Sequence, residues 1–152
     1  MLKIGHRGAR GYEPENTLIG FQKAIDLHVD RIELDVVVDL IEKFIAEKKW
    51  NYSQFVVSSF DWTALQQVAL LNWEIRIGVL TETDLDLAVA FAKFIQAKSI
   101  HPYHHLLTAE NTAQLQEKGF EVFPWTVNEP EDIKKIKSFN VNGIISDFPD
   151  RI

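Results

Sequence analysis

Seven short apolar runs punctuate the chain, and their spacing restricts the fold more than any other feature. They are Leu2 to Ile4, Arg31 to Val38, Phe55 to Ser59, Ile75 to Leu80, Phe94 to Ile100, Glu121 to Val127 and Gly143 to Ser146. Most successive starts lie about two dozen residues apart, room for a strand, a helix and two loops. The intervening pieces carry helical periodicity. Thr17 to Val29 puts Leu18, Phe21, Ala24, Ile25 and Val29 on one face, with Asn16 or Thr17 as cap. Asp39 to Trp50, Asp61 to Leu71, Thr83 to Phe91 and Thr108 to Lys118 read the same way, and Glu129-Pro130 opens a last helix. Strand and helix in alternation imply a mostly parallel sheet with helices outside it. Continuous apolar strands are what burial on both faces produces. A doubly wound sheet and a barrel both fit, and seven strand candidates favour the barrel. Yet a closed (β/α)8 barrel takes eight strands and typically about 250 residues, and this chain has 152. Seven units imply an open edge, which is a liability, so a barrel reading requires that something be absent.

Composition narrows the function. Sixteen Lys and Arg against 22 Asp and Glu give a net charge of −6, which argues against a non-specific nucleic-acid binder. There is no cysteine, hence no disulfide framework and no thiolate chemistry. MLKIG runs straight into polar sequence without a signal-peptide core. No apolar window reaches spanning length, so stable membrane insertion is not expected. Cytoplasmic localisation is the expectation; oligomeric state is left open.

Chemistry-bearing residues collect where strands hand over to loops. His6 and Arg7 follow the first run, Glu33 and Asp35 lie in the second, and Trp125 with Thr126 sits late in FPWTV. In α/β folds the carboxyl ends of the strands form the active face. Glu33 and Asp35, two apart, share one face of a strand. Burying two carboxylates is costly unless they are compensated, and a hard cation such as Mg²⁺ or Ca²⁺ would do so. Pairing with Arg or Lys, or exposure at the strand end, is the alternative. His6 suits proton transfer, unless it is a packed ring bonded to a carbonyl. Arg7 offers bidentate donors to a phosphate, or else a structural ion pair with Glu33 or Asp35. GHRGARG lacks the Lys-Ser/Thr ending of a nucleotide loop. HPYHH, residues 101 to 105, could supply zinc ligands but has no neighbouring acid or cysteine, which favours a plain loop. Trp125 is a core residue or a ligand wall. Asp147, after the last run, reads as a cap or salt-bridge acid.

Taken in order, HRG, PENT, IELDV, VVSSF, WTVN and GIISDFP resemble the glycerophosphodiester phosphodiesterases across nearly the whole chain. The resemblance implies a (β/α)8 TIM-barrel fold and metal-dependent hydrolysis of glycerophosphodiesters to an alcohol and glycerol 3-phosphate, with Mg²⁺ or Ca²⁺. It implies that His6 is one of two catalytic histidines, that Arg7 binds phosphate, that Glu33 and Asp35 are metal carboxylates, and that Trp125 lies near the substrate. The implied partner is a small-molecule phosphodiester.

One departure is large. In the family, the segment after the ExD strand carries the second catalytic histidine, and the next strand carries a further metal glutamate. Here ELDVV runs directly into VDLIEKFIAEKKW, which resembles the helix after that next strand. The expectation is a single domain over 1–152 with a seam near 36–39, lacking the third strand and the loop region before it. A genuine deletion is expected to leave the ExD strand without its neighbour and to expose apolar sheet surface. An omitted stretch is therefore preferred to a truly short product. Taken literally, the 152 residues imply weak or no turnover. The rivals are a non-catalytic barrel remnant that binds an anionic ligand or a partner protein, and a related lipid-headgroup phosphodiesterase.

Overall fold

The computed structural model describes residues 1–34, 41–42, 45–47 and 51–152. Among these residues there are seven parallel strands: β1 (Leu2–His6), β2 (Arg31–Leu34), β3 (Phe55–Ser59), β4 (Arg76–Thr81), β5 (Ser99–Pro102), β6 (Glu121–Val122) and β7 (Gly143–Ser146). The sheet order is β6-β5-β4-β3-β2-β1-β7. Beyond the ladder, Asn142 N–H donates to Val122 O (3.2 Å), Ile145 N–H to Pro124 O (3.0 Å) and Val127 N–H to Ile145 O (3.0 Å). These bonds join the two sheet ends, so the molecule is a nearly closed seven-stranded barrel.

The open edge expected from seven units is therefore not found. Nor is β2 left without a neighbour, because it pairs directly with β3 in the register Ile32–Phe55, Glu33–Val56 and Leu34–Val57. Ile32 and Leu34 are fully buried. The physical reason is that β3 presents the same extended apolar backbone as an intervening strand would, and parallel hydrogen bonding is indifferent to sequence.

Helices cover the outside: α1 (Leu18–Asp26), α2 (Trp62–Leu71), α3 (Leu85–Phe94), α4 (Ala109–Glu117) and α5 (Pro130–Lys137). Residues 41–42 and 45–47 are also helical, within the span expected from Asp39 to Trp50. Caps follow the sequence closely. The side chains of Thr17, Asp61, Asp84 and Thr108 accept the orphan amides of α1 to α4. Asn16, the other cap candidate, instead sits at φ 54° in the preceding turn. The run Phe94 to Ile100 is not one strand. Phe94 ends α3, Gln96 turns left-handed at φ 57°, and β5 starts only at Ser99. Ala97 N–H closes that turn onto Ala92 O at 2.9 Å. β6 is likewise shorter than Glu121 to Val127, because Pro124 has no N–H to give the ladder.

Two apolar sets share the strands. Ile32, Leu34, Val57, Val79, Ile100 and Ile144 pack outward against helix residues such as Phe21, Ala24 and Leu65. Ile4, Phe123 and Ile145 fill the barrel interior. At the bottom of that interior, Glu121 bonds Arg31 (3.2 Å) and also Arg76. Above the apolar layer stand His6, Glu33, Ser58 and Leu80, where strand alternation puts them on the inner face. No helix among the described residues is long and apolar enough to cross a membrane.

Candidate active site

At the carboxyl ends of the strands lies a cavity of about 150 Å³, lined by His6, Arg7, Arg10, Glu33, Phe60, Leu80, Trp125 and Thr126. A larger groove of about 830 Å³ opens at the opposite end, between Trp73, Arg76, Phe94 and Lys98. Among the described residues no histidine lines that groove, and it lies away from the ends where α/β folds place chemistry. The smaller cavity is the candidate.

Its first wall is the turn after β1. Arg7 adopts φ 52°, a left-handed conformation that is uncommon outside glycine and concentrates at functional sites. Gly8 follows at φ 98°, where a side chain would be strained, and a Cβ there would also strike the backbone of Gly20. The PENT segment holds this turn from outside. Asn16 N–H donates to Arg7 O (2.9 Å), Ala9 N–H donates to Gly20 O (3.1 Å), and Thr17 caps α1. Glu15 bridges two guanidiniums, with Oε1 2.9 Å from Arg7 Nη1 and Oε2 2.9 Å from Arg10 Nε. Arg7 thus pairs with Glu15, which stands eight residues on in PENT.

Glu33 forms the second wall. It is 2% exposed and accepts a hydrogen bond from the Ser58 hydroxyl across the β2–β3 pair. The Arg7 backbone N–H bonds the Glu33 carbonyl at 2.7 Å, which docks the β1 turn on β2. Asp35 lies outside the described residues. Among those residues no group of three or more His, Cys, Asp or Glu could hold a metal ion.

His6 is 7% exposed, and its Nδ1 lies 2.7 Å from Asp147 Oδ1. Burial works to raise the Asp147 pKa. Hydrogen bonds from His6 and Asn128, with the charges of His6 and Arg10, outweigh it and hold the carboxyl below its usual value. Trp125 forms the third wall. Its Nε1 donates to His101 O at 2.7 Å, and its ring meets Phe60 edge-on at 5.3 Å. The structure therefore brings His6, Arg7, Glu33 and Trp125 to one cavity. The HPYHH histidines do not converge there. His101 is buried inside the barrel, whereas His104 and His105 lie tilted against one another and meet the Tyr103 ring edge-on.

Nothing in the sequence alone ties Glu15, Ser58, Phe60, Arg10 or Asn128 to the cavity, and Asp147 reads there only as a cap or ion-pair acid. Ser58 and Phe60 sit in the quoted VVSSF stretch and Glu15 in PENT, so their positions were visible. Their partners were not.

The model of the glycerophosphoryl diester phosphodiesterase family matches the chain in two pieces, residues 6–40 and 37–151. A glycerophosphodiester phosphodiesterase of Caldanaerobacter subterraneus is 31% identical over 113 residues, covering 73% of this chain and 46% of that protein. The chain thus spans about half the length of that relative. A glycerophosphodiester phosphodiesterase of Bacillus altitudinis is 32% identical over 117 residues, covering 76% and 46%. Against YhdW of Bacillus subtilis the match is 22% identical and runs over 239 positions, covering all of this chain and 96% of the other. With 152 residues here, at least 87 of those positions face no residue of this chain. Among solved structures, an Oleispira antarctica phosphodiesterase in complex with the product sn-glycerol-3-phosphate superposes with TM-score 0.78 at 15% identity, covering 98% of this chain and 94% of that one. At that identity the likeness concerns the fold.

Proposed function

The chain belongs to the glycerophosphoryl diester phosphodiesterase family, and from that premise we propose that its cavity hydrolyses glycerophosphodiesters, with a divalent cation, to an alcohol and glycerol 3-phosphate. The observation that carries the reading is the convergence of an imidazole, a guanidinium and a buried carboxylate on one cavity. Arg7 binds the phosphate through its forked donors. His6 moves a proton at Nε2, the ring nitrogen not engaged with Asp147. Trp125, with Phe60 against it, walls the substrate.

Glu33 offers carboxylate oxygens and Ser58 a hydroxyl beside them, an oxygen donor set that suits Mg²⁺ or Ca²⁺. Glu33 and Asp35 would hold the cation, which when bound offsets charge on the phosphoryl oxygens. Incubation of the purified protein with glycerophosphocholine tests this function. Glycerol 3-phosphate released only with Mg²⁺ or Ca²⁺ supports it. None with either cation overturns it.

The chain is taken as one domain with a seam near 36–39. The two-piece family match meeting at 37–40 supports that placement, and the unmatched positions against YhdW support the presence of a gap without locating it. A second reading has its own observation. His6 is the one histidine lining the cavity among the described residues. A barrel that binds an anion without turnover would keep Arg7 and need no second proton carrier. Saturable binding of glycerol 3-phosphate with no hydrolysis would favour it.

A further inference from the structure

The partners of His6 come from the far end of the chain. Its Nδ1 meets Asp147 Oδ1 at 2.7 Å across a sequence separation of 141 residues. The other carboxylate oxygen, Oδ2, accepts from Asn128 Nδ2 at 2.8 Å. Asn128 Oδ1 in turn accepts the Asp147 backbone N–H and the Ser146 hydroxyl, both at 3.0 Å. One amide thus grips both the side chain and the main chain of Asp147. Asn128 lies in the loop from β6 to α5, and Asp147 follows β7. These are the two strands whose hydrogen bonds close the barrel. The ladder between β1 and β7 sets Asp147 beside His6, and closure of the barrel brings Asn128 onto that carboxylate.

The chemistry of this chain of bonds fixes a tautomer. Asp147 is held below its usual pKa by His6 and Asn128, against the effect of burial, so it is ionised at neutral pH. An ionised carboxylate only accepts hydrogen bonds. The proton of the neutral ring then sits on Nδ1, and Nε2 keeps its lone pair. Nε2 makes no hydrogen bond among the described residues, and the ring lines the cavity.

We propose that Asp147, gripped by Asn128, is a positioning residue that locks His6 with Nδ1 protonated and Nε2 basic, so that His6 enters the reaction as a proton acceptor. The proposal rests on reading the cavity as a phosphodiesterase site. In the step, a hydroxyl oxygen of substrate or water bonds to phosphorus while its proton passes to Nε2. The imidazolium formed is faced by the Asp147 charge. The bond from phosphorus to the departing oxygen breaks on the opposite side of phosphorus, that alkoxide takes a proton from solvent water, and the imidazolium gives its proton back to the solvent, so no net proton stays on the ring.

Asp147→Asn separates charge and tautomer from shape. An amide nitrogen there can donate to Nδ1, which moves the ring proton to Nε2. Two-bond ¹⁵N–¹H NMR at pH 8, with the His6 signal assigned through His6→Gln, reads the tautomer directly. The expected result is Nδ1–H in the wild type and Nε2–H in Asp147→Asn. Along with that, kcat falls by about 100-fold while KM changes by less than about threefold. Asn128→Ala, which leaves the carboxylate in place, gives a mixture of tautomers and an intermediate kcat. A wild-type Nε2–H signal overturns the proposal, as does Asp147→Asn with unchanged tautomer or kcat within about twofold of wild type. If the wild type releases no product, the NMR result decides alone. The lock then stands or falls on its own while the phosphodiesterase reading fails.

Discussion

At the scale of single residues, the cavity puts different demands on similar groups. Glu33 is buried and shaped by Ser58, so Glu33→Gln keeps its volume and removes its charge. Calorimetric titration with Mg²⁺ or Ca²⁺ is expected to show at least about tenfold weaker cation binding than wild type; unchanged affinity would remove Glu33 from the proposed cation ligands. His101 makes the opposite case, a histidine with no part in the cavity. Burial, with a smaller contribution from the Arg31 charge, lowers its pKa from 6.5 to about 3. Below pH 6.5 the unfolded chain takes up a proton that the folded chain refuses. Stability therefore falls as pH drops from 6.5 toward 3, by up to about 1.4 kcal/mol per pH unit from this residue. Urea midpoints at pH 7 and pH 5 should lie closer together in His101→Leu than in wild type. The cavity residues His6, Arg7, Glu33 and Trp125 are legible in the sequence because they stand towards the carboxyl ends of apolar runs, the first two among glycines. Asp147 is visible in the sequence as an acid but not as the partner of His6, since it is the pairing of the first strand with the last that brings those positions, 141 residues apart, together.

Individual elements show how the barrel interior is packed. The His101 ring lies over Gly78 on the neighbouring strand, in space that a Cβ at Gly78 would need. Gly78→Ala should therefore destabilise the fold by about 1–3 kcal/mol, measured by urea denaturation. Combining it with His101→Ala should recover part of that loss, because the clash partner is gone. If Gly78→Ala is neutral, the ring does not occupy that space. Element type was readable from periodicity and caps. Boundaries were less so where the deciding feature was local geometry, as at Gln96, where a left-handed turn splits an apolar stretch into helix end and strand. Pro124 is a milder case. It truncates the β6 ladder, yet Phe123 and Trp125 still donate to Ile100 and Pro102 at 3.1 Å each.

For the molecule as a whole, the alternation of strand and helix revealed the architecture but not its closure. Counting units gave seven and suggested an exposed edge. The chain instead joins β2 to β3 and β6 to β7, leaving Ile32 and Leu34 buried. A strand count says nothing about how far strands can tilt and shift to meet, which is settled only when all of them pack together. The seam proposed near 36–39 belongs to this scale, and intact mass tests it. A purified product of 17.5 kDa corresponds to the 152-residue chain, whereas several kilodaltons more would mean further residues, which peptide mapping across 36–39 would place at the junction or elsewhere. The central claim is that the cavity around His6 cleaves glycerophosphodiesters. Its most direct test is ³¹P NMR of glycerophosphocholine with Mg²⁺, wild type beside His6→Ala. The account predicts a growing glycerol 3-phosphate signal with the wild type and a rate at least about 100-fold lower with the variant. A His6→Ala protein that retains the full wild-type rate would contradict it.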